Sequence, residues 1–236
     1  MNEIEKARCR STVYQALALG FSPPTAEVLK KVASAGGRSK IAQQLAEIGF
    51  PGELDFRIRE GSLAERYHQL FGRSGSGGVW PYQTRFPSEA LSSASNAPVD
   101  LEAFVIEREL DVAPLRRERA DHVSTQCEFM SLLGEREAVA LEKGDRQLVE
   151  KIRNAQTAFL KSYLGQFAPT LGAQLERLDP GDFYGELGGL LKRFVEAEWA
   201  RLMPAGGQTS KTEPGDAIFT GPEGEGAPAE SAHLPR

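Results

Sequence analysis

Residues able to carry out chemistry are few in this sequence. Three histidines and two cysteines occur among 236 residues, and no two of them stand at the i, i+4 spacing that places two metal ligands on one helix face. No Gly-x-Ser-x-Gly motif marks a nucleophilic serine. Cys9 and Cys127 are far apart and lack Cys-x-x-Cys spacing, which predicts reduced thiols. We therefore expect no metal, no cofactor and no enzymatic activity.

Three local clusters of aromatic, histidine and carboxylate residues remain as candidates for binding. They are Tyr67-His-Gln-Leu70-Phe71, Trp80-Pro81-Tyr82 and Asp121-His122. The first predicts a helix that runs into a glycine-rich loop, residues 72–78, and the proline of the second favours an extended backbone. The third precedes a predicted helix. Its aspartate is either a binding residue or only a helix N-cap, and its histidine is either a binding residue or a satisfied, partly buried side chain.

The elements that must position these clusters are helices. Large apolar residues recur every three or four positions, and no segment combines β-branched residues with strict alternation, so we predict an all-α domain of roughly eight to ten helices. Phe21-Ser-Pro-Pro predicts the end of the first helix, and Thr25 a cap for the second. Gly36-Gly37 predicts a break, and Asp179-Pro180 the cap and first turn of the last helix. The strongest predicted stripes are Leu148, Ile152, Ala155, Phe159 and Tyr163; Phe167, Leu171, Leu175 and Leu178; and Phe183, Leu187, Leu191, Phe194 and Leu202.

Composition divides the chain into two parts. Residues 204–236 hold six glycines and five prolines with three large apolar side chains, too few to offset the entropy of ordering, and predict a disordered acidic tail. A short docking element around Ile218 and Phe219 is the alternative. Residues 1–203 then form one globular domain, which is nearly neutral and offers no basic surface for nucleic acid. Neither a membrane span nor a secretory signal is predicted, which favours a cytoplasmic protein.

Taken together, the motifs resemble the TorD family of molybdoenzyme maturation chaperones, which includes DmsD and NarJ. The resemblance covers about residues 7–203. Its motifs are Arg10-Ser-x-Val-Tyr14, Tyr67-x-x-Leu70-Phe71, Pro81-Tyr82, Asp121-His122, Glu128-Phe129-Met130, Ala155-Gln156, Phe159-Leu160, Tyr163-Leu164 and Phe183-Tyr184. Two positions differ from the pattern, since Arg119 stands where the family usually has proline and Gln126 where an acidic residue is common. Within the family, residues 81–84, 155–156 and 163–169 look most similar to the branch that serves enzymes of the dimethyl sulfide, selenate, chlorate and ethylbenzene type.

This resemblance implies a TorD-like helical fold and a cytoplasmic chaperone rather than an enzyme. Its partners would be the apo form of a molybdenum oxidoreductase catalytic subunit, the twin-arginine leader of that subunit, and proteins that deliver the molybdenum cofactor. Binding would support cofactor insertion and delay export until maturation. A leader of this kind has two arginines before an apolar stretch, which an aromatic groove edged by carboxylates suits. The residues expected to bind it are Tyr67, Leu70, Phe71, Trp80, Pro81, Tyr82, Asp121, His122 and Glu128, with Glu118 as a further carboxylate.

Two other functions remain open at the level of sequence. The glycine-rich loop at residues 72–78 is compatible with a small helical GTP-binding protein, although it lacks the Gly-Lys-Ser/Thr ending of a phosphate-binding loop. A general helical adaptor is the other alternative. It is disfavoured because no internal repeat of fixed period is present.

Overall fold

The computed structural model describes residues 1–33, 35–50, 63–72, 78–86, 100–110 and 119–203, and these have the predicted all-α architecture. Within these ranges strand-like pairing is limited to one antiparallel bridge between Tyr82 and His122. A short 3-10 helix spans Gln83–Arg85, and a π-helical turn spans Leu160–Leu164. The α-helices are α1 (Glu3–Gly20), α2 (Ala26–Ala33), α3 (Ala35–Glu47), α4 (Leu63–Phe71), α5 (Leu101–Glu107), α6 (Val123–Glu142), α7 (Arg146–Phe159), α8 (Gly165–Leu178) and α9 (Phe183–Leu202).

Two helix boundaries confirm the sequence signals. α1 ends at Gly20, where Phe21 forms the C-cap before the two prolines. The Thr25 hydroxyl accepts the backbone N–H of Val28 at 3.3 Å, as expected of a residue that caps α2.

Two other boundary predictions were wrong in position. The break predicted at Gly36-Gly37 lies two residues earlier, since α2 ends at Ala33 and α3 begins at Ala35. Both glycines fall in the first turn of α3, where each costs about 1 kcal/mol relative to alanine. α9 begins at Phe183 with Asp182 as its N-cap. The start is delayed because Gly181 has a φ of +67°, which no right-handed helix accommodates. Asp179 still accepts the N–H of Tyr184, at 3.0 Å.

Two closely packed helix pairs form the framework. Between α1 and α6, the Ser11 hydroxyl donates to the Ser131 carbonyl at 2.8 Å and the Ser131 hydroxyl donates to the Ser11 carbonyl at 2.9 Å. Gly134 allows this approach, since a Cβ there would lie 3.1 Å from that of Ser11. Between α8 and α9, a Cβ on Gly188 would lie 2.6 Å from that of Leu175. Small residues at both crossings therefore bring the apolar stripes into one core.

Most of the predicted stripe residues on α7, α8 and α9 lie in this core. Leu178, in the last turn of α8, is an exception because its side chain is exposed. A compact unit extends from Met1 to Ala205. The predictions for the glycine-rich loop between residues 73 and 77, for Glu118 and for the tail from residue 204 concern positions outside the described residues. Over the part of the chain that is described, no helix combines the length and the hydropathy needed to cross a membrane.

Candidate functional site

An extended segment, residues 79–82, follows α4 and is hydrogen-bonded to the end of α4 and the start of α6. Val79, Pro81 and Gln83 are buried, whereas Trp80 is 39% exposed and Tyr82 is half-buried. Side chains of an extended chain point alternately to opposite sides. Trp80 and Tyr82 therefore share the outer side of the segment, which confirms the predicted non-helical backbone around Pro81 and directs two aromatic rings outward.

Main-chain hydrogen bonds hold this segment to both helices. The Val79 N–H donates to the Leu70 carbonyl at 2.7 Å. The Gln83 N–H donates to the Asp121 carbonyl and the Val123 N–H to the Pro81 carbonyl, both at 2.9 Å. A buried hydrogen bond between side chains adds to them: Nε2 of Gln126 donates to Oε1 of Gln83 at 2.8 Å. The structure thus brings together Leu70, the Trp80–Pro81–Tyr82 sequence and Asp121–His122, although about 50 residues separate the first from the last.

An aromatic cluster on α4 adjoins the segment. The rings of Tyr67 and Phe71, both half-buried, lie 4.9 Å apart between centroids. Each also contacts the ring of Tyr184 on α9, at 6.1 Å and 5.4 Å. Burial, with a smaller contribution from the nearby Tyr82, raises the pKa of Tyr67 to about 12. Its phenol is therefore neutral over the physiological pH range and offers a polar edge on an apolar ring.

Asp121 forms an ion pair with an arginine of the same chain, Arg119. Arg119 donates from Nε to Oδ1 and from Nη2 to Oδ2, both at 2.9 Å. Thr84 adds a third hydrogen bond from its hydroxyl to Oδ2 at 2.8 Å. Burial acts to raise the pKa of Asp121, but the hydrogen bonds from Arg119 and Thr84 outweigh it, so the pKa lies below its usual value. The carboxylate is therefore charged at neutral pH and is already paired within the chain.

His122, not Asp121, is the N-cap of α6, so the interpretation of Asp121 as a helix cap was wrong. The His122 Nδ1 accepts the backbone N–H of Ser124 at 3.1 Å. Its ring lies edge-on to that of Tyr82 with centroids 4.9 Å apart. Burial lowers the pKa of His122 to about 4, which keeps the imidazole neutral and able to accept. Asp121 does not cap α6, because it lies in the turn that precedes the helix.

The remaining predicted site residues differ in exposure. Leu70 is only 5% exposed and belongs to the core, as does the buried ring of Pro81. Glu128 is half-buried on α6, between the buried residues Cys127 and Phe129. These placements give the predicted set an outer part, centred on Trp80 and Tyr82, and an inner part that supports it.

Sequence reasoning missed two arginines that lie over the rings of Trp80 and Tyr82. The Arg85 guanidinium lies 4.6 Å from the centroid of Trp80, and that of Arg119 lies 4.0 Å from the centroid of Tyr82. In the sequence pattern, Arg119 stands out as a departure from the family's proline. Its distance of two residues from Asp121 was the available signal, since that separation permits a local ion pair.

A second group of charges lies buried between α1, α6, α7 and α9. Glu137 accepts from Arg153 at 2.7 Å and from Gln156 at 3.0 Å, and it lies 3.6 Å from Arg10. Glu198 accepts from Arg201 at 2.9 Å and lies 3.9 Å from Arg10. Two motif residues of the sequence analysis, Arg10 and Gln156, are therefore part of the framework. We call this group the Glu137 network.

Metal ligands do not cluster in the part of the chain that the structure describes. No group of three or more His, Cys, Asp or Glu side chains there has the proximity needed to hold a metal ion. Cys9 and Cys127 are both buried and free. Burial, followed by the neighbouring Glu47, raises the pKa of Cys9 to about 11, and burial raises the pKa of Cys127 as well.

A family model matches this chain. The family model described as nitrate reductase delta subunit matches residues 40–172, which is more than half of the chain. No curated protein and no solved structure gives a match. The matched range contains α4, the extended segment and the whole of α6, and therefore Tyr67, Phe71, Trp80 and Tyr82.

Proposed function

This chain belongs to the nitrate reductase delta subunit family, the group of NarJ- and TorD-type chaperones of molybdoenzyme maturation, and from this premise we propose which part of its client it binds. The client is the apo form of a molybdenum oxidoreductase catalytic subunit, and the segment recognised is its twin-arginine signal peptide. Binding protects the leader from the export machinery while the molybdenum cofactor is inserted. The chain acts in the cytoplasm, as a chaperone and not as an enzyme.

The single observation that carries this proposal is the outward placement of Trp80 on a fixed backbone. A tryptophan that is 39% exposed and held by neighbouring main-chain bonds offers a large apolar contact at little entropic cost. Tyr82, Tyr67 and Phe71 extend the apolar area beside it. We call these four side chains the aromatic surface, and the apolar stretch of the leader is its proposed ligand.

The other predicted site residues support this surface in different ways. Leu70 and Pro81 are buried and hold the backbone that presents the rings. His122 caps α6 and packs against Tyr82, so it orients that ring. The carboxylate of Asp121 is paired with Arg119, which lies over the Tyr82 ring, and Glu128 adds a half-buried carboxylate on α6. Exposed ion pairs contribute only about 0 to 1 kcal/mol each, so the rings provide most of the affinity and the carboxylates select the partner.

The test is titration of the full chain with a synthetic leader that carries two arginines before an apolar stretch. Trp80→Ala is expected to weaken binding about 30-fold or more, since truncating a central aromatic anchor costs about 2 kcal/mol or more. Ile106→Ala is the matched control, because Ile106 is also a large exposed apolar residue but lies on α5. It should change the affinity by less than about threefold.

Thermal melting of both variants separates binding from folding. Neither side chain is buried, so both variants should melt close to the parent chain. An equal loss of affinity in both variants, or no loss in Trp80→Ala, would overturn the proposed role of the aromatic surface.

A further inference from the structure

The contacts of Arg119 are those of a bound guanidinium. Its Nε and Nη2 form two hydrogen bonds of 2.9 Å with the two oxygens of Asp121, while its Cζ lies over the Tyr82 ring at 4.0 Å from the centroid. An ammonium group cannot form this fork or stack in this way. The acceptor and the ring are therefore matched in shape to an arginine side chain.

The acceptor side of this arrangement is fixed. The side chain of Asp121 is only 4% exposed and is held by the Thr84 hydroxyl at 2.8 Å. The Tyr82 ring is held by its backbone bridge to His122 and by contact with the imidazole. A site whose acceptor and ring are held in place before binding loses little entropy when a ligand enters.

The donor side is loosely held by comparison. The Arg119 side chain is 54% exposed, and Arg119 precedes α6 rather than lying on it. It can leave Asp121 by rotating its own side chain, without moving a helix. The carboxylate would then be a nearly buried charge without its cation, which is unfavourable unless another cation replaces Arg119.

We infer that Asp121, Thr84 and Tyr82 form a guanidinium-binding site, which Arg119 fills in the free chain and which an arginine side chain of the partner enters by displacing it. The inference rests on the proposed function only for the identity of that partner, a leader with two arginines. Arg119 is thus an internal competitor. It keeps the buried carboxylate paired and makes entry depend on a ligand with the same fork of donors.

An internal competitor has a measurable effect on affinity. If Arg119 occupies the site nine-tenths of the time, the apparent affinity for a partner arginine falls about tenfold. Removing the Arg119 side chain should raise the affinity for a partner arginine by that factor, but it should not raise the affinity for a lysine as much. A lysine forms only one of the two hydrogen bonds and gains less from the vacated site.

The first experiment measures the site directly, with methylguanidinium as the probe. Methylguanidinium should raise the melting temperature of Arg119→Ala in a saturable way and that of the parent chain much less. Methylammonium should not reproduce the effect, and neither should methylguanidinium with Arg119→Ala/Asp121→Asn. Equal stabilisation of the single and double variants would overturn the site. If Arg119→Ala folds poorly, Arg119→Gln replaces it, since the amide can still donate to Asp121 without a charge.

The second experiment measures entry by a partner arginine. Calorimetric titration compares the leader carrying two arginines with the same leader carrying two lysines, on the parent chain, Arg119→Ala and Arg85→Ala. Arg119→Ala should bind the arginine leader about 3- to 10-fold more tightly and show a larger preference for arginine over lysine. Arg85→Ala is the control for loss of a stacked cation, and it should leave that preference unchanged because Asp121 is untouched.

The two experiments separate failure of this inference from failure of the proposed function. Weaker binding of the arginine leader by Arg119→Ala would mean that Arg119 itself contacts the partner, and would overturn the inference. If no variant binds either leader while methylguanidinium still stabilises Arg119→Ala, the guanidinium site stands and the proposed leader is wrong.

Discussion

The Arg119–Asp121 pair and the Glu137 network use the same chemical groups in different surroundings. In the network, Glu137 is fully buried and three side chains from two helices contact it, so no ligand can reach it. At the aromatic surface the carboxylate is nearly as buried, but the arginine that pairs with it is 54% exposed. Glu137 also has a partly exposed cation, since Arg153 is 38% exposed, but the 7%-exposed Arg10 lies beside it as well. The difference teaches that a buried carboxylate can exchange its partner when no buried cation stays with it.

This contrast bears on how the family motifs should be interpreted. Arg10 and Gln156 resemble family residues and lie in the Glu137 network, where they tie α1 and α7 to α6. Tyr82 belongs to the Pro81-Tyr82 motif and Trp80 precedes it, yet both face outward. Resemblance in sequence therefore points to residues of the framework and of the proposed binding surface without distinguishing them.

The largest effect is expected for Glu137→Gln. Loss of this charge leaves Arg10 buried with only the more distant Glu198, and it should lower the free energy of unfolding by about 3 to 5 kcal/mol. Urea denaturation measures this value. Glu135→Gln is the matched control, two residues away on α6: its side chain is exposed and lies 3.9 Å from Arg8, so its loss should cost no more than about 1 kcal/mol. Similar losses in both variants would contradict the assigned role of the network.

A smaller effect is expected from protonation of His122. Its pKa is about 4 in the folded chain because of burial, against about 6.5 when unfolded. The neutral form is favoured by folding, so its contribution is complete above pH 6.5 and is lost as the pH falls from 6.5 toward 4. Between pH 6.5 and 5 this amounts to about 2 kcal/mol.

His122→Asn tests this contribution, since asparagine also serves as an N-cap but does not titrate. Unfolding free energies of the variant should depend less on pH between 6.5 and 5 than those of the parent chain. Titration of Asp121 does not contribute between pH 6.5 and 5. The pKa of its carboxyl is lowered in the folded chain, so the stability that its charge confers is lost only below about pH 4. Identical pH dependence in both chains would contradict the burial of a neutral imidazole.

The smallest change in stability is expected for Asp121→Asn. Its cation is half exposed and hydrated, and the amide still accepts from Thr84 or Arg119, so the free energy of unfolding should fall by about 1 to 2 kcal/mol. The same variant should lose most of its preference for a leader with arginines over one with lysines. A loss of stability as large as that of Glu137→Gln, with the preference intact, would make Asp121 a structural residue.

Much of the helical framework could be predicted from sequence because its signals are local. The prolines after Phe21 end α1, and the apolar spacing on α7 to α9 marks the buried face. The start of α9 could not be predicted in the same way, since it depends on the conformation of Gly181 rather than on the Asp179-Pro180 pair. Local signals locate an element well and its end residues less well.

The candidate site could be predicted in composition but not in arrangement. Trp80-Pro81-Tyr82 and Asp121-His122 stand out by residue type, and the structure brings them together. Which of their side chains face solvent depends on tertiary contacts such as the buried bond between Gln83 and Gln126. The pairing of Asp121 with Arg119 likewise depends on a backbone turn before α6, which no periodic pattern reveals.

The central claim is that this chaperone holds its client through the aromatic surface. The most direct measurement is affinity purification of the tagged full chain from its native host, with the co-purifying proteins identified and quantified by mass spectrometry. We predict a molybdoenzyme catalytic subunit with its leader uncleaved, present with the parent chain and with Ile106→Ala and strongly depleted with Trp80→Ala. Recovery of that subunit in equal amounts with Trp80→Ala would contradict the claim.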